Sequence, residues 1–244
     1  RCSLCQLGMM RSKRRVLEHV FYINDQNLMY PHMNVLSWLM FATQRMDGSA
    51  AARQVEWLEL LLELDLHYLT LSYARYLTAA EQAVVALMLA LKMANIQLVL
   101  MDLSHVEVLP ILYPSFVGII GRLRAQGKSV VIASAQRDFM QLCVSSAAFL
   151  LDGKLERQGT VSELCDMYDT RRLVVRTCDP EQVAGVLLEE YSANFQVRDG
   201  EVWICEQRVK VSEVAAALER RGVVFEYVET AKPSLELAFR GAKI

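Results

Sequence analysis

The chain has 244 residues, 53% of them hydrophobic and 22% charged, with a formal net charge of −2. That length supports one large domain plus a smaller one, and the composition excludes a disordered or collagen-like chain. The near-zero charge predicts no wholesale attraction to nucleic acid or anionic lipid.

The opening residues, Arg1 to Leu7, read as a strand ended by Gly8. They look like the middle of a domain, so a longer parent protein is expected. A basic stretch from Arg11 to Arg15 leads into a second strand, Leu17 to Ile23, and then a polar loop, Asn24 to Asn27. Asn34 is a good N-cap for a helix over Val35 to Thr43. After an Asp47-Gly48 turn, Ser49 caps a helix whose Val55, Leu58, Leu61 and Leu62 share a face against Arg53, Glu56, Glu59 and Glu63.

Thr78 with Glu81 three residues on forms a capping box that opens an almost wholly apolar helix, Gln82 to Met93. Such a helix is expected to be covered on all sides. The run from Ala83 to Met101 is apolar except for Lys92, Asn95 and Gln97. A membrane span needs roughly 20 predominantly apolar residues, and the clean piece, Ala83 to Leu91, is far shorter. A buried helix and a buried strand, Gln97 to Asp102, are expected instead, with membrane contact only through a partner. Phe116 to Ala125 is helical, Gly127 stops it, and Ser129 to Ser134 is a second covered strand. Phe139 to Cys143 is helical, Ala147 to Asp152 is a strand, and Gly153 begins a tight turn. This alternation predicts an α/β domain with a mostly parallel sheet.

After Asp169 the pattern changes. Strand Arg172 to Cys178, helix Pro180 to Glu190, and strands Phe195 to Arg198 and Glu201 to Cys205 around Asp199-Gly200 follow in order. Helix Val211 to Arg221 and strand Val223 to Glu229 complete a β-α-β-β-α-β unit, the ferredoxin-like order, and Ser234 caps a closing helix. The expected domains are therefore 1–169 and 170–244.

Few residue patterns carry chemistry by themselves. Gly121 to Ser129 superficially suggests a phosphate-binding loop, but its glycines are one residue too far apart and it leads from helix into strand, the reverse of what phosphate binding requires. His19, His32, His67 and His105 show no metal spacing. Cys2 and Cys5 have a two-residue gap but no second pair, so the six cysteines are expected to be buried reduced thiols. The basic stretch near Arg11 reads as a solvated edge rather than a nucleic-acid patch.

The order of segments resembles the ATP-binding subunit of ABC (ATP-binding cassette) transporters, from just after its phosphate-binding helix to its end. Val20 to Gln26 followed by Leu28 to Val35 is similar to the family's Q-loop and the start of its helical subdomain. Leu77 to Gln82 stands where the family has L-S-G-G-E/Q-Q, and Leu98 to Asp102 resembles the Walker B strand. Ile132 to Gln136 is similar to the strand ending in the switch histidine. Leu151 to Leu155 with Gln158 to Leu164 resembles the family's closing motif, and the C-terminal unit resembles the accessory domain of drug- and sodium-exporter ATPases. The resemblance implies a P-loop NTPase-like α/β fold with a helical subdomain, followed by a small α+β ferredoxin-like domain. It also implies ATP and Mg²⁺ as ligands, with Asp102 in the Mg²⁺ position and Asp25, Gln26, Thr78, Ala79, Ala80 and Glu81 at nucleotide-binding positions.

The departures bear on activity. Leu103 stands where the family has the Glu that polarises the attacking water, and Leu can neither accept a proton nor orient water. Gln136 replaces the switch His, and Val106 to Leu109 lacks the D-loop Asp. The Q-loop Gln falls on Asp25, with Gln26 one place later; a carboxylate there either holds Mg²⁺ or repels phosphate. Both signature glycines are alanines, whose methyl groups obstruct close approach. Two readings stay open for Thr78, support of a partner's ATP or a plain capping box. Asp102 is likewise either a Mg²⁺ ligand or a hydrogen-bonded strand-end carboxylate.

The resemblance with these departures implies a catalytically silent nucleotide-binding subunit of a membrane transporter, peripheral at the cytoplasmic face of the cell membrane. It would dock a transmembrane permease through Tyr30 to Trp38 and pair with a second nucleotide-binding subunit, as homo- or heterodimer. The alternatives are a working ATPase with a phosphate loop upstream of Arg1, and a nucleotide-independent assembly scaffold.

Overall fold

The structure, a computed structural model, describes residues 17–25, 29–166, 173–191, 195–198, 200–204, 210–230 and 234–242. The strand read at the chain's opening lies outside these residues. Two compact units are present, Arg1–Ser145 and Ser146–Ile244.

In the first unit, β1 (Val20–Ile23) precedes α1 (Val35–Ala42), α2 (Ala50–Glu63) and two 3₁₀ turns, His67–Leu69 and Ala74–Tyr76. Then come α3 (Ala79–Lys92), β2 (Leu98–Leu103), α4 (Tyr113–Ala125), β3 (Ser129–Ser134) and α5 (Arg137–Cys143). The three strands form a parallel sheet in the order β1-β2-β3, as the alternation of strands and helices predicts. The helix starts follow the local chemistry. Asn34 Oδ1 accepts the Ser37 N–H at 2.8 Å and Ser49 Oγ accepts the Ala52 N–H at 3.1 Å, each satisfying a donor the first turn leaves open. Gly127 takes a φ of 75°, and the Lys128 N–H reaches back to the Leu123 carbonyl at 3.0 Å, closing α4.

Helix α3 is covered on all sides: every residue from Gln82 to Ala90 is buried. The expectation for α2 needs correction. Its buried face is Trp57, Leu60 and Leu61, continued by Leu64, whereas Val55, Leu58 and Leu62 face solvent. Trp57 decides the rotation, because burying its ring gains more than burying any of the aliphatic side chains it displaces. The sheet also departs from expectation. Val99, Met101 and Leu103 point into the core with α3 and α4, while among the described residues the opposite face of β2 is only half-buried. There Tyr22, Leu100 and Val131 stand side by side in register, with Tyr22 and Val131 55% and 56% exposed. Strand β2 is aliphatic on both faces, so its sequence reads as doubly covered.

The second unit opens with an antiparallel hairpin, β4 (Ser146–Leu151) and β5 (Lys154–Thr160), followed by α6 (Val161–Asp166). Next are β6 (Leu173–Arg176), α7 (Pro180–Tyr191), β7 (Phe195–Arg198), β8 (Glu201–Ile204), α8 (Val211–Arg220), β9 (Tyr227–Thr230) and α9 (Leu235–Ala242). The antiparallel sheet order β7-β8-β6-β9 is the ferredoxin-like arrangement expected, with Leu173, Val175, Val202 and Ile204 packed on Val183, Leu187, Val214 and Leu218. The sequence reading missed β5, which is exposed along almost its whole length and so lacks an alternating apolar face. Its signal was Asp152-Gly153, both at positive φ (48° and 76°), the same turn chemistry read at Asp199-Gly200.

The division between units lies upstream of the expected boundary at Thr170, which falls outside the described residues. The hairpin belongs with the second unit because Phe149 of β4 meets Phe239 of α9 edge to face at 5.3 Å. Of the described cysteines, Cys143 and Cys165 are buried and free, as expected, and burial pushes the Cys143 thiol up to about 12. Cys178 is exposed, against expectation.

The half-buried Lys128 donates to the Ala90 and Met93 carbonyls at 2.6 and 3.0 Å, at the C-terminal end of α3, and burial lowers its pKa. Lys128→Met keeps the aliphatic stem and loses both bonds, and should lower unfolding free energy by about 1–3 kcal/mol in urea titrations. The lowered pKa means the unfolded chain binds this proton more tightly, so wild-type stability gains as pH rises through the window just below the free-lysine value. The Met variant should lack that gain; equal stability of the two proteins at every pH would contradict the capping role.

Candidate functional site

Parallel strands bring their C-terminal ends to one edge of the sheet, where α/β proteins place their ligands. Asp102 and Leu103 end β2, while Ser134 ends β3 and is followed by Ala135 and Gln136. Strand alternation sends Asp102 and Leu103 to opposite faces. Leu103 points inward and is 0% exposed, within the core that includes Met101 and Phe116. The residue after Asp102 is thus inside the strand and inside the core. Asp102 sits on the opposite, half-buried face, and its Oδ1 accepts the Ser104 N–H at 3.1 Å. The Ser104 hydroxyl and N–H, with a smaller contribution from His105, hold its carboxyl below the usual carboxylate range.

Gln136 is committed locally. Its Oε1 accepts the Val108 N–H at 2.7 Å and its Nε2 donates to the Val108 carbonyl at 3.1 Å. The side-chain amide pairs with a peptide as a neighbouring strand would, across 28 residues of sequence. No short-range pattern announces such a pairing, and neither Val108 nor Ser104 was singled out from the sequence as a partner.

The Thr78 box is closed on itself. Thr78 Oγ1 accepts the Glu81 N–H at 3.2 Å and donates to Glu81 Oε2 at 2.9 Å, and the same Oε2 accepts the Thr78 N–H at 2.8 Å. Ala79 is exposed, but Ala80 is buried in the core, so its side chain faces protein rather than a ligand. Asp25 is exposed two residues beyond the end of β1, on the same sheet edge as Asp102. Gln26 lies outside the described residues.

Among the described residues, no three His, Cys, Asp or Glu side chains come together as a metal site. A Mg²⁺ ion held by one or two carboxylates is completed by phosphate oxygens and water. No helix among the described residues is long and apolar enough to cross a membrane.

The segment Tyr30 to Trp38 divides in two. Val35 and Trp38 are buried, whereas Tyr30 and His32 are exposed, and Tyr30 meets Phe41 edge to face at 5.7 Å. Backbone bonds join this segment to residues 70–74: Val35 N–H to the Ser72 carbonyl at 3.1 Å and Ala74 N–H to the Met33 carbonyl at 2.9 Å. Just beyond, the Arg75 guanidinium lies 5.3 and 4.8 Å from the ring centroids of Tyr73 and Tyr76, both exposed. The sequence reading did not mark these three residues.

No family model and no curated protein matches the sequence. Solved structures similar to it include cbiO1 from Clostridium perfringens, part of the ABC transporter complex cbiONQ, at 15% identity and TM-score 0.48, covering 73% of this chain and 68% of that one. An ATP-binding subunit of an ABC transporter is similar at 15% identity and TM-score 0.48, covering 66% of each chain. The ADP conformation of MJ1267, an ATP-binding cassette of an ABC transporter, follows at 16% and 0.44, with 62% and 65% covered. The chain thus spans about two thirds of the length of each. With every TM-score below 0.5, the likeness speaks neither to activity nor to partners.

The inward direction of Leu103 has a direct consequence. Leu103→Glu buries an unpaired carboxylate and should cost about 3–5 kcal/mol. It should yield no ATP turnover. A Leu103→Glu protein as stable as wild type in urea titration, or one that releases phosphate from ATP, would contradict the core placement.

Proposed function

We propose that this chain is a catalytically silent nucleotide-binding-type subunit of an ABC transporter, held peripherally at the cytoplasmic face of the cell membrane by its partners. The observation that carries the silence is the end of β2: Leu103 lies in the core and offers no base to water, while Gln136 spends its amide on Val108. The ordered resemblance of segments from Val20 to Leu164 supports the family reading. In this reading Asp102, with Asp25 or Gln26, meets Mg²⁺ and phosphate weakly, and Thr78 and Ala79 are what remains of the surface offered to a partner's ATP.

The permease docks on the outward part of the Tyr30 to Trp38 region. Exposed Tyr30, Phe41, Tyr73 and Tyr76 with Arg75 have the Tyr- and Arg-rich composition that concentrates binding energy at interfaces. A second nucleotide-binding subunit, identical or different, completes the assembly. A nucleotide-independent scaffold is the second reading, favoured by the self-satisfied Thr78 box, whose hydroxyl both donates and accepts within its own turn.

Calorimetric titration with Mg-ATP, paired with a continuous phosphate-release assay, separates these readings. The silent subunit binds Mg-ATP without releasing phosphate above the Asp102→Asn background. Neither binding nor release selects the scaffold. Phosphate release that Asp102→Asn abolishes would overturn both readings in favour of a working ATPase.

A further inference from the structure

We propose that Gln136 is a latch that holds residues 104–109 in one arrangement without any ligand, so that the loop beyond Asp102 does not respond to nucleotide. The inference rests on the reading above only for the choice of nucleotide as the ligand to test. Strands β2 and β3 run in register to Leu103 and Ser134, where their ladder ends. Beyond that point, two peptide-like bonds from one side chain continue the connection, Val108 N–H to Oε1 at 2.7 Å and Nε2 to the Val108 carbonyl at 3.1 Å.

Each chain is also braced beside the latch. The Gln136 N–H donates to Ser134 Oγ at 3.1 Å, and the Val106 N–H donates to the Leu103 carbonyl at 3.2 Å. Ser104 is turned by its bond to Asp102. Val106 and Val108 are buried, so the loop is anchored by apolar packing as well as by the amide. Directly after the clamp come Leu109 and Ile111, 51% and 74% exposed. A planar amide suits the task because it carries a donor and an acceptor side by side, matching one peptide's N–H and C=O. A histidine presents its two nitrogens on a rigid ring and cannot meet both groups of one peptide in this way.

The test is residue-resolved amide hydrogen exchange at Val108, expressed as a protection factor so that intrinsic pH effects cancel. In Gln136→Ala the Val108 protection factor should fall at least tenfold, while amides within β2 keep theirs. Gln136→Glu gives a signature that a mere loss of packing would not. The ionised carboxylate still accepts the Val108 N–H but has no donor for the Val108 carbonyl and repels it, so with one of the two bonds lost Val108 protection should fall partway near neutral pH. The protonated acid regains that donor and should restore protection in mildly acidic buffer. Saturating Mg-ATP should leave Val108 protection in the wild type unchanged. Unaltered protection in Gln136→Ala, pH-independent protection in Gln136→Glu, or a change on adding Mg-ATP would each overturn the latch. Phosphate release, measured on the same samples, reports separately on catalytic silence.

Discussion

A β-strand presents successive side chains to opposite faces, and this constraint decides what the end of β2 can do. Asp102 and Leu103 are neighbours in sequence but belong to different environments. One faces the half-buried side of the sheet, and the other is sealed in the core of α3 and α4. Any residue at position 103 inherits that core environment. A carboxylate introduced at position 103 would therefore meet the packing of the first unit before it met water.

The remaining polar groups around the strand ends follow the same logic. Asp102 is engaged by Ser104 and Thr78 by Glu81 within local motifs, and Gln136 by the distant Val108 peptide. Exposed polar groups that already have partners gain little from a ligand, because each new bond must replace an old one. Pre-satisfied geometry favours a static edge. Among the described residues the row of half-buried Leu100 between exposed Tyr22 and Val131 stands apart from this pattern, since parallel sheets are ordinarily covered on both faces.

Much of the fold was legible where one local rule dominates. The Thr78 capping box, the helix stop at Gly127 and the turn glycine Gly200 marked element ends, and the β-α-β-β-α-β order predicted the sheet of the second unit. Where two apolar faces competed, the sequence was ambiguous: Val55, Leu58 and Leu62 form as good a helical stripe as Trp57, Leu60 and Leu61, and only packing selects the latter. Strand β5 was missed because an exposed hairpin carries no apolar period, although Asp152-Gly153 marked its turn. At the candidate site, residue identities at 102, 103 and 136 were readable. The direction of Leu103 and the commitment of Gln136 were not, since both depend on where strand ends and distant loops meet.

The placement of Leu103 can be measured directly by methyl NMR with a soluble paramagnetic relaxation agent. The Leu103 methyls should be shielded from the agent as fully as those of Val99, while the Val131 methyls on the opposite face are strongly broadened. Broadening of Leu103 to the level of Val131 would put position 103 at the surface, within reach of water, and would contradict the account of a silent strand end.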